Sequence, residues 1–279
     1  MLFRSALAAV GQSEALIEGF RPGVMERLGL GPADCAACNP ALVYGRMTGW
    51  GQDGPLAQAA GHDLNYVALT GLMGLGARPE APPRVPPTVL GDAGGALALA
   101  FGIVSAVLAA RATGQGRVVD AAIVDAVAML GGLAQWISGS GQLGGPAPSP
   151  FHDSPFYDSY RCADGHDITV GALEPAFYAE LLRRLGLDDV DPSRQYDTAS
   201  WPALKQQLTA LFASQPRAHW VARLEGTDVC FAPVLSLDEA AVHPHLAARA
   251  VYQRYAQGAW QAVPAPRFLP LAPTRPGED

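Results

Sequence analysis

An uncharged run of 18 residues, Ala93 to Ala110, is the feature that most limits how this chain can fold. The run is long enough to cross a bilayer as a helix, but it consists mostly of alanine and glycine, which gain little from leaving water. A second apolar stretch, 121–137, carries Asp125 in its middle. Because a charge at mid-span is costly in a bilayer, we predict two closely packed core helices and no membrane partner.

The composition excludes two further classes of protein. Hydrophobic residues make up 49 % of the 279, which is too many for a disordered chain. The net charge is −7, with 19 basic against 26 acidic residues and no basic block, so no nucleic-acid partner is expected. Cys35 and Cys38 form a CxxC without a second pair to complete a zinc site. No basic and long apolar leader is found in the first residues, so we expect reduced thiols and a cytoplasmic location.

The first half of the chain has a β-α-β beginning. Residues 15–18 and 42–48 are predicted strands, with a helix over 24–28 between them and another over 63–73. This order is typical of a doubly wound α/β sheet with parallel strands. The Gly-rich loop 49–55 then follows the carboxyl end of a strand, where ligands of such sheets usually bind.

A change in the sequence pattern near residue 150, at a Ser/Gly/Pro-rich stretch, predicts two domains. We expect a large Rossmann-like domain over 1–137, a Ser/Gly/Pro-rich linker over 138–155, a small α+β domain over 156–245 and a segment over 246–279 that returns to the large domain. The small domain is predicted to contain a hairpin, three helices, a strand and a short helix, at 156–162 with 167–171, 175–185, 201–213, 217–225, 230–235 and 237–241.

Three polar residues after Gly-rich turns, His62, Asp63 and Asp92, are candidates for a catalytic site. His62 lies between a Gly-rich loop and a helix, so its ring can project into a cleft, and Asp63 is placed to cap that helix. Asp92 directly precedes the long apolar run, where it is either a helix N-cap or a general base in a water-excluding setting. Gly91, with the glycines at 94 and 95, would let a ligand approach closely.

Glu174 is the remaining carboxylate whose position suggests a functional role. It precedes Pro175 at the start of a predicted helix, so it is either a cap or a group that orients a histidine. His243 and His245 have no third ligand nearby, and no metal site is expected. The chain contains no GxGxxG, P-loop or GxSxG motif.

Several long motifs resemble the family III (CaiB/BaiF-like) CoA-transferases. They are Glu18-Gly-Phe-Arg-Pro-Gly23, Arg27-Leu-Gly-Leu-Gly-Pro32 and Gly45-Arg-Met-Thr-Gly-Trp-Gly-Gln-Asp-Gly-Pro55. Four more are similar to the α-methylacyl-CoA racemase branch of that family: Gly61-His-Asp-Leu-Asn-Tyr66, Gly91-Asp-Ala-Gly-Gly95, Tyr157-Asp-Ser-Tyr160 and Gly171-Ala-Leu-Glu-Pro-Ala-Phe-Tyr178. The match runs in order from about Ala15 to Phe268.

The resemblance implies an α/β fold with a Rossmann-like large domain and a smaller α+β domain, in an interlocked homodimer. It implies a 2-methylacyl-CoA substrate whose C2 is inverted through an enolate by two bases, His62 and Asp92. The N-terminus of the helix after Asp92 would stabilise the enolate oxygen. No cofactor is required, since CoA is part of the substrate.

The resemblance also assigns supporting roles. Glu174 would hydrogen-bond His62, while Asp63 and Tyr157 would support the side of the site that holds Asp92. Arg21 and Arg27 match the positions that bind the CoA phosphates.

The chain departs from the family pattern in three places. The first βαβ unit of the family, with one CoA-contacting arginine, is missing, and the last helix is cut short, so we expect a fragment with an unpaired sheet edge. Thr88 stands where the racemase branch has asparagine. Two alternatives stay open: a CoA-transferase in which Asp92 is the nucleophile of an acyl-anhydride mechanism, and an inactive truncated remnant.

Overall fold

The computed structural model describes residues 2–77, 82–145, 147–255 and 258–268. The chain divides into two compact units, Met1–His152 and Asp153–Asp279, and the division falls inside the predicted linker 138–155. Each unit has its own sheet and its own core.

The first unit is a parallel three-stranded sheet with helices. Its strands are β1 (Ala15–Glu18), β2 (Val43–Thr48) and β3 (Arg117–Ala122). Its helices are α1 (Leu2–Val10), α2 (Val24–Arg27), α3 (Pro32–Cys38), α4 (Asp63–Leu69), α5 (Leu72–Leu75), α6 (Gly94–Thr113), α7 (Ile123–Leu130) and α8 (Gly132–Gly139), and a π-helical turn, Val89–Ala93, leads into α6.

Strand β2 lies in the centre of the sheet and pairs in parallel with both neighbours. Ala15 lies beside Val43, and Val43 lies beside Arg117. The predicted α/β class with a parallel sheet is therefore confirmed. The third strand was not among the predicted ones, and its last residues, Ala121 and Ala122, pair with the end of β2.

The long apolar helix α6 packs closely on this sheet by one face. A Cβ on Gly45 would lie 2.7 Å from Ile103 Cδ1, and a Cβ on Gly102 would lie 2.6 Å from Val119 Cγ1, so both glycines permit the close approach. The other face carries Leu97, Phe101, Val104 and Leu108, which are 61–77 % exposed. The prediction of a buried core helix is wrong for that face, and the predicted homodimer stays a prediction.

By length and composition alone, the helical segment Val89–Thr113 is suited to cross a membrane, and 28 % of its most apolar window is buried. Helices in the cores of soluble proteins pass the same test, so this is weak support for a membrane span.

Two helices expected to be continuous are each broken at a glycine. The predicted 63–73 helix ends at Leu69, and Gly71 has a φ of +82° before α5 begins. The predicted 121–137 helix begins only at Ile123 and is interrupted at Gly131, where a Cβ would lie 2.4 Å from Leu72. The sequence pattern could not show this contact because it involves a distant part of the chain.

The two cysteines of the CxxC lie in α3, a helix that the sequence reading missed. Both Cys35 and Cys38 are free thiols. Cys35 is buried with its Sγ 3.4 Å from the Leu30 carbonyl oxygen, and burial raises the pKa of its thiol. A raised pKa disfavours the thiolate that redox chemistry needs.

The second unit is an antiparallel sheet covered by helices. Its elements are β4 (Tyr157–Arg161), β5 (Asp167–Gly171), α9 (Pro175–Leu185), α10 (Trp201–Ala213), α11 (Arg217–Leu224), β6 (Phe231–Pro233), α12 (Leu237–Val242), α13 (Pro244–Ala248), β7 (Tyr252–Arg254) and β8 (Trp260–Ala262). Strand β5 lies between β4 and β6. The largest fully buried side chains here include Trp220, Tyr178 and Phe156.

Candidate active site

Two neighbouring cavities of the first unit share His62. The first, here called the Arg21 cleft, has a volume of ≈ 370 Å³ and lies at the carboxyl ends of β1 and β2. Its lining consists of Gly19, Phe20, Arg21, Pro22, Met47, Thr48, Gly49, Trp50, Ala57, Ala59, Ala60, Gly61, His62, Tyr66 and Ile123. The predicted loop 49–55 therefore contributes to a cavity at the strand ends, the usual ligand position in such sheets.

The second cavity, here called the Asp92 pocket, has a volume of ≈ 520 Å³ and a mostly apolar lining. Its lining consists of His62, Asp63, Leu64, Met73, Pro83, Arg84, Val85, Pro87, Thr88 and Asp92. The two predicted bases, His62 and Asp92, thus line the same pocket, although they lie 30 positions apart in the chain.

His62 occupies the N-cap position of α4. Its backbone is extended, with φ −134° and ψ 173°, and its backbone N–H donates to Asn65 Oδ1 at 3.0 Å. The side chain is exposed. Because the chain turns from loop to helix at this residue, the ring projects where both cavities meet.

Asp63 ties α4 to the turn that carries Asp92. The side chain of Asp63 is only 6 % exposed, and its Oδ1 accepts hydrogen bonds from the backbone N–H groups of Gly91 at 2.8 Å and Asp92 at 2.9 Å. The prediction that Asp63 caps α4 is wrong, because it is the first helical residue and its carboxylate is used elsewhere. These two bonds fix the backbone of Asp92 relative to His62.

Asp92 itself lies in the π-helical turn Val89–Ala93 rather than at the N-cap of α6. The N-cap of α6 is Ala93, so the capping prediction for Asp92 is wrong. The Asp92 side chain is exposed, and the expected exclusion of water is not found in the single chain. Its carboxylate is accessible from the pocket.

The backbone amides around Asp92 already have acceptors within the protein. Those of Gly91 and Asp92 donate to Asp63, that of Ala93 donates to the Thr88 carbonyl at 3.0 Å, and that of Gly94 donates to the Gly91 carbonyl. The expectation that this helix start holds an enolate oxygen is therefore wrong for these four amides.

The three glycines of this motif accommodate the protein's own side chains. A Cβ on Gly91 would lie 2.4 Å from Asp63 Oδ1, and one on Gly94 would lie 2.8 Å from Leu130 Cδ1. One on Gly95 would lie 2.7 Å from Met47 Cε. The predicted role of these glycines, close approach of a ligand, is replaced by close internal packing.

Tyr66 is a site residue to which the sequence reading gave no role. Its hydroxyl donates to the Gly61 carbonyl, and its ring meets Trp50 edge-on with centroids 4.7 Å apart. Burial, and then the nearby Asp92 carboxylate, raises the pKa of Tyr66. A Cβ on Gly49 or Gly61 would collide with this ring, which explains both glycines. The motif quoted around His62 contains this tyrosine, but nothing local predicts its contacts.

A partly buried ion-pair network lies beside Arg21 in the chain. Arg46 Nε lies 2.9 Å from Glu18 Oε1, and Arg46 Nη1 lies 2.8 Å from Glu26 Oε1. The second oxygen of Glu18 accepts from the backbone N–H of Phe20 at 2.7 Å, so the network fixes the residue next to Arg21. Arg27 is exposed on α2 and does not line the cleft.

Glu174 and Tyr157 belong to the second unit. Glu174 takes the N-cap position of α9, with Pro175 first in the helix, but its exposed side chain makes no capping hydrogen bond. Tyr157 begins β4 directly opposite Gly171. The roles predicted for these two residues, towards His62 and Asp92, stay predictions.

Among the residues that the structure describes, no group of three or more His, Cys, Asp or Glu side chains is placed to hold a metal ion. The His243 ring Nε2 lies 2.9 Å from Glu225 Oε1 instead.

Comparison with known proteins bears on what these cavities are for. The model of CoA-transferase family III matches residues 4–278. The chain is 38 % identical to α-methylacyl-CoA racemase from mouse over 268 residues, covering 95 % of this chain and 69 % of the mouse protein. It is 38 % identical to the human racemase, covering 92 % of this chain and 68 % of the human one.

A solved structure shows the same fold. The crystal structure of Rv3272 from Mycobacterium tuberculosis aligns with a TM-score of 0.78 at 25 % identity, covering 96 % of this chain and 72 % of that one. The resemblance stated from the motifs is confirmed by the family match and the racemase relatives. The chain belongs to CoA-transferase family III.

Proposed function

We propose that this chain is an α-methylacyl-CoA racemase that inverts C2 of a 2-methylacyl-CoA thioester. The observation that carries the proposal is the Asp92 pocket, which places an imidazole and a carboxylate, those of His62 and Asp92, on the wall of one mostly apolar cavity. Inversion without a cofactor needs two proton carriers of this kind, since a single base returns the proton to the face it left.

The two cavities divide the substrate between them. The Arg21 cleft offers a guanidinium for a CoA phosphate, with the donor geometry that phosphate oxygens favour. The Asp92 pocket offers apolar surface for the acyl chain. The thioester and C2 then lie beside His62, the residue that both cavities share.

The proposed reaction removes one proton from C2 and returns one proton to the opposite face of C2. One base takes the C2 proton, and the electron pair of the C–H bond moves into the thioester to form an enolate. The other base then gives a proton to the opposite face of C2, and the enolate collapses to the inverted thioester. Bulk water restores the two bases to their starting protonation states, so no cofactor is consumed.

Asp63 acts as a positioning residue in this proposal. Its two hydrogen bonds to the backbone of Gly91 and Asp92 hold the turn against α4, at whose start His62 lies. Since proton transfer requires the donor and acceptor within hydrogen-bond reach of C2, fixing this separation supports catalysis.

The test is exchange of the C2 proton in D₂O, followed by NMR, with each pure enantiomer of one 2-methylacyl-CoA. The unmodified protein is expected to incorporate deuterium and to invert either enantiomer. His62→Gln and Asp92→Asn should each abolish inversion, yet each should still exchange one enantiomer, and the enantiomer should differ between the two variants. This opposite selectivity follows because each base faces one side of C2.

The competing activity is CoA transfer with Asp92 as the nucleophile. It predicts that CoA moves from the thioester to a free carboxylic acid, that Asp92→Asn abolishes the transfer and that His62→Gln spares it. That result, together with no exchange by the unmodified protein, would replace the racemase proposal.

A further inference from the structure

One guanidinium lies in the mostly apolar lining of the Asp92 pocket. It belongs to Arg84, which the family resemblance did not single out. Around it the lining offers Leu64, Met73 and Val85, none of which can pair with a cation. The presence of a guanidinium beside such an apolar lining needs an explanation.

Arg84 has no ion-pair or hydrogen-bond partner in the part of the chain that the structure describes. The two carboxylates of the same pocket do not serve it: Asp63 is occupied by two backbone amides, and Asp92 has no ion pair with it. The Arg84 side chain is exposed at the pocket. No described residue competes for its donors, which can therefore meet an anion that enters the cavity.

The backbone that carries Arg84 is stiff. Pro82 and Pro83 precede it, and Pro86 and Pro87 follow Val85. Each proline fixes its own φ, and the residue before each proline is driven to an extended conformation. Residues 82–86 accordingly lie outside any helix or strand. A pre-ordered backbone lowers the entropy cost of using this side chain to bind a ligand.

We propose that Arg84 binds a carboxylate at the far end of the acyl group, so that the preferred substrates are CoA monothioesters of 2-methyl dicarboxylic acids. This inference rests on the proposed racemase function. A carboxylate matches the planar fork of a guanidinium in two parallel hydrogen bonds. The apolar side chains of the pocket would contact the methylene groups between the two ends.

The assignment to the acyl end follows from the layout of the two cavities. The CoA phosphates are proposed to meet Arg21 in the other cleft, and His62 lies between that cleft and the Asp92 pocket. A substrate with its C2 beside His62 has its phosphates on one side and its acyl chain on the other. The anion nearest Arg84 is then one carried by the acyl chain.

The test compares two thioesters of equal chain length, 2-methylhexanoyl-CoA and the C1 monothioester of 2-methylhexanedioic acid. The readout is the ratio of their kcat/KM values for C2 proton exchange. We expect the unmodified protein to favour the carboxylate-ended substrate, and Arg84→Met to lower the ratio by about ten- to a hundredfold, the range for hydrogen bonds to a charged group. Arg84→Lys, which keeps the charge and loses the fork, should fall between.

Arg223→Met is the matched control, because it removes an exposed arginine in the second unit, in the last turn of α11. It should leave the ratio unchanged. An unchanged ratio in Arg84→Met would overturn the proposal. If both kcat/KM values stay unchanged, Arg84 makes no contact with the substrate; if both fall equally, Arg84 contacts the shared CoA part.

Calorimetric binding of the same two thioesters separates this inference from the racemase proposal. If neither thioester exchanges its C2 proton, the racemase proposal fails. Arg84 is still tested by binding. If Arg84 contacts the carboxylate, Arg84→Met should bind the dicarboxylic thioester more weakly than the unmodified protein does and should bind the other thioester equally well. Equal binding of both thioesters by both proteins would overturn the carboxylate site.

Discussion

Thr88 adopts a left-handed backbone, with φ 64° and ψ −6°, at the wall of the Asp92 pocket. A β-branched residue is a poor occupant of this region, because its Cβ substituents crowd the backbone. Asparagine tolerates it far better. The asparagine that the racemase resemblance leads us to expect at this position would fit this conformation, and the threonine here carries strain.

Replacing Thr88 by asparagine should stabilise the protein. We expect Thr88→Asn to raise the free energy of unfolding by about 1 kcal/mol, the low end of the cost of such a conformation. Urea unfolding at equilibrium measures it. Thr88→Val keeps the β-branch and should give no gain, whereas equal stability of Thr88→Asn and the unmodified protein would remove the strain argument.

At the same scale, the sequence indicated which residues line the Asp92 pocket better than it indicated their hydrogen bonds. His62 and Asp92 were singled out by the glycines and helix starts around them, and both line one pocket. The hydrogen bonds of Asp63 to Gly91 and Asp92 cross 28 and 29 positions of the chain, and no local pattern encodes such a pairing. Arg84 gave no signal at all, because a lone arginine among prolines is usually only solvated.

At the scale of elements, local signals succeeded where the chain carries a start and a stop. Helix α9 begins at Pro175 and ends before Gly186, which has a φ of +73°, and both ends match the predicted ones. Helix α3 has the same kind of start, Pro32 after Gly31, and the sequence reading overlooked it. At Gly131, where the predicted helix is interrupted, Leu72 packs so closely that no Cβ would fit, a contact that only the folded chain shows.

Helix α12 offers a test of how one element is held by another. The Ser236 hydroxyl accepts from the Glu239 amide, the Glu239 carboxylate accepts from the Ser236 amide, and it also pairs with Arg217 at the start of α11. The hydrogen bond from Arg217, and then the one from the Ser236 backbone, lowers the pKa of Glu239 from its ordinary 4.5 to about 2.

Because the pKa of Glu239 is lowered by folding, its charged form contributes stability that is present above about pH 4.5 and is lost as the pH falls to about 2. Glu239→Gln keeps the cap geometry and loses the charge. We expect it to melt at a lower temperature than the unmodified protein at pH 7, with the difference vanishing near pH 2 and shrinking in high salt.

The control for Glu239→Gln is Asp238→Asn, which removes a neighbouring carboxylate from the same helical turn. It should not reproduce the pH dependence. A melting difference that stays constant from neutral to acid pH would show that the ion pair with Arg217 contributes nothing.

At the scale of the whole molecule, the two units differ in how their cores are built. Among the described residues, the second unit has one continuous cluster of 18 buried hydrophobic residues. The first unit divides its core into clusters of five, four and three. Since stability scales with apolar surface buried together, the second unit should be the more stable of the two.

This difference predicts two unfolding transitions in the full chain. Calorimetry should resolve them, and hydrogen exchange should assign the higher one to amides of β5, α9 and α10, which are expected to be the last to exchange. The amides of β1 should exchange first. A single transition in which all of these amides open together would mean that the two units unfold as one.

The position of His62 where the Arg21 cleft and the Asp92 pocket meet has a consequence for how such an enzyme diversifies. Under the proposed function, the part common to all acyl-CoA molecules would bind to one set of loops, around residues 19–22 and 47–50. The variable acid would bind to another set, around residues 83–88. Mutations in the second set would then change which acids are accepted, while the loops for CoA and the two proposed bases stay in place. A lineage, or an engineer, can therefore explore new acids one side chain at a time without rebuilding the chemistry.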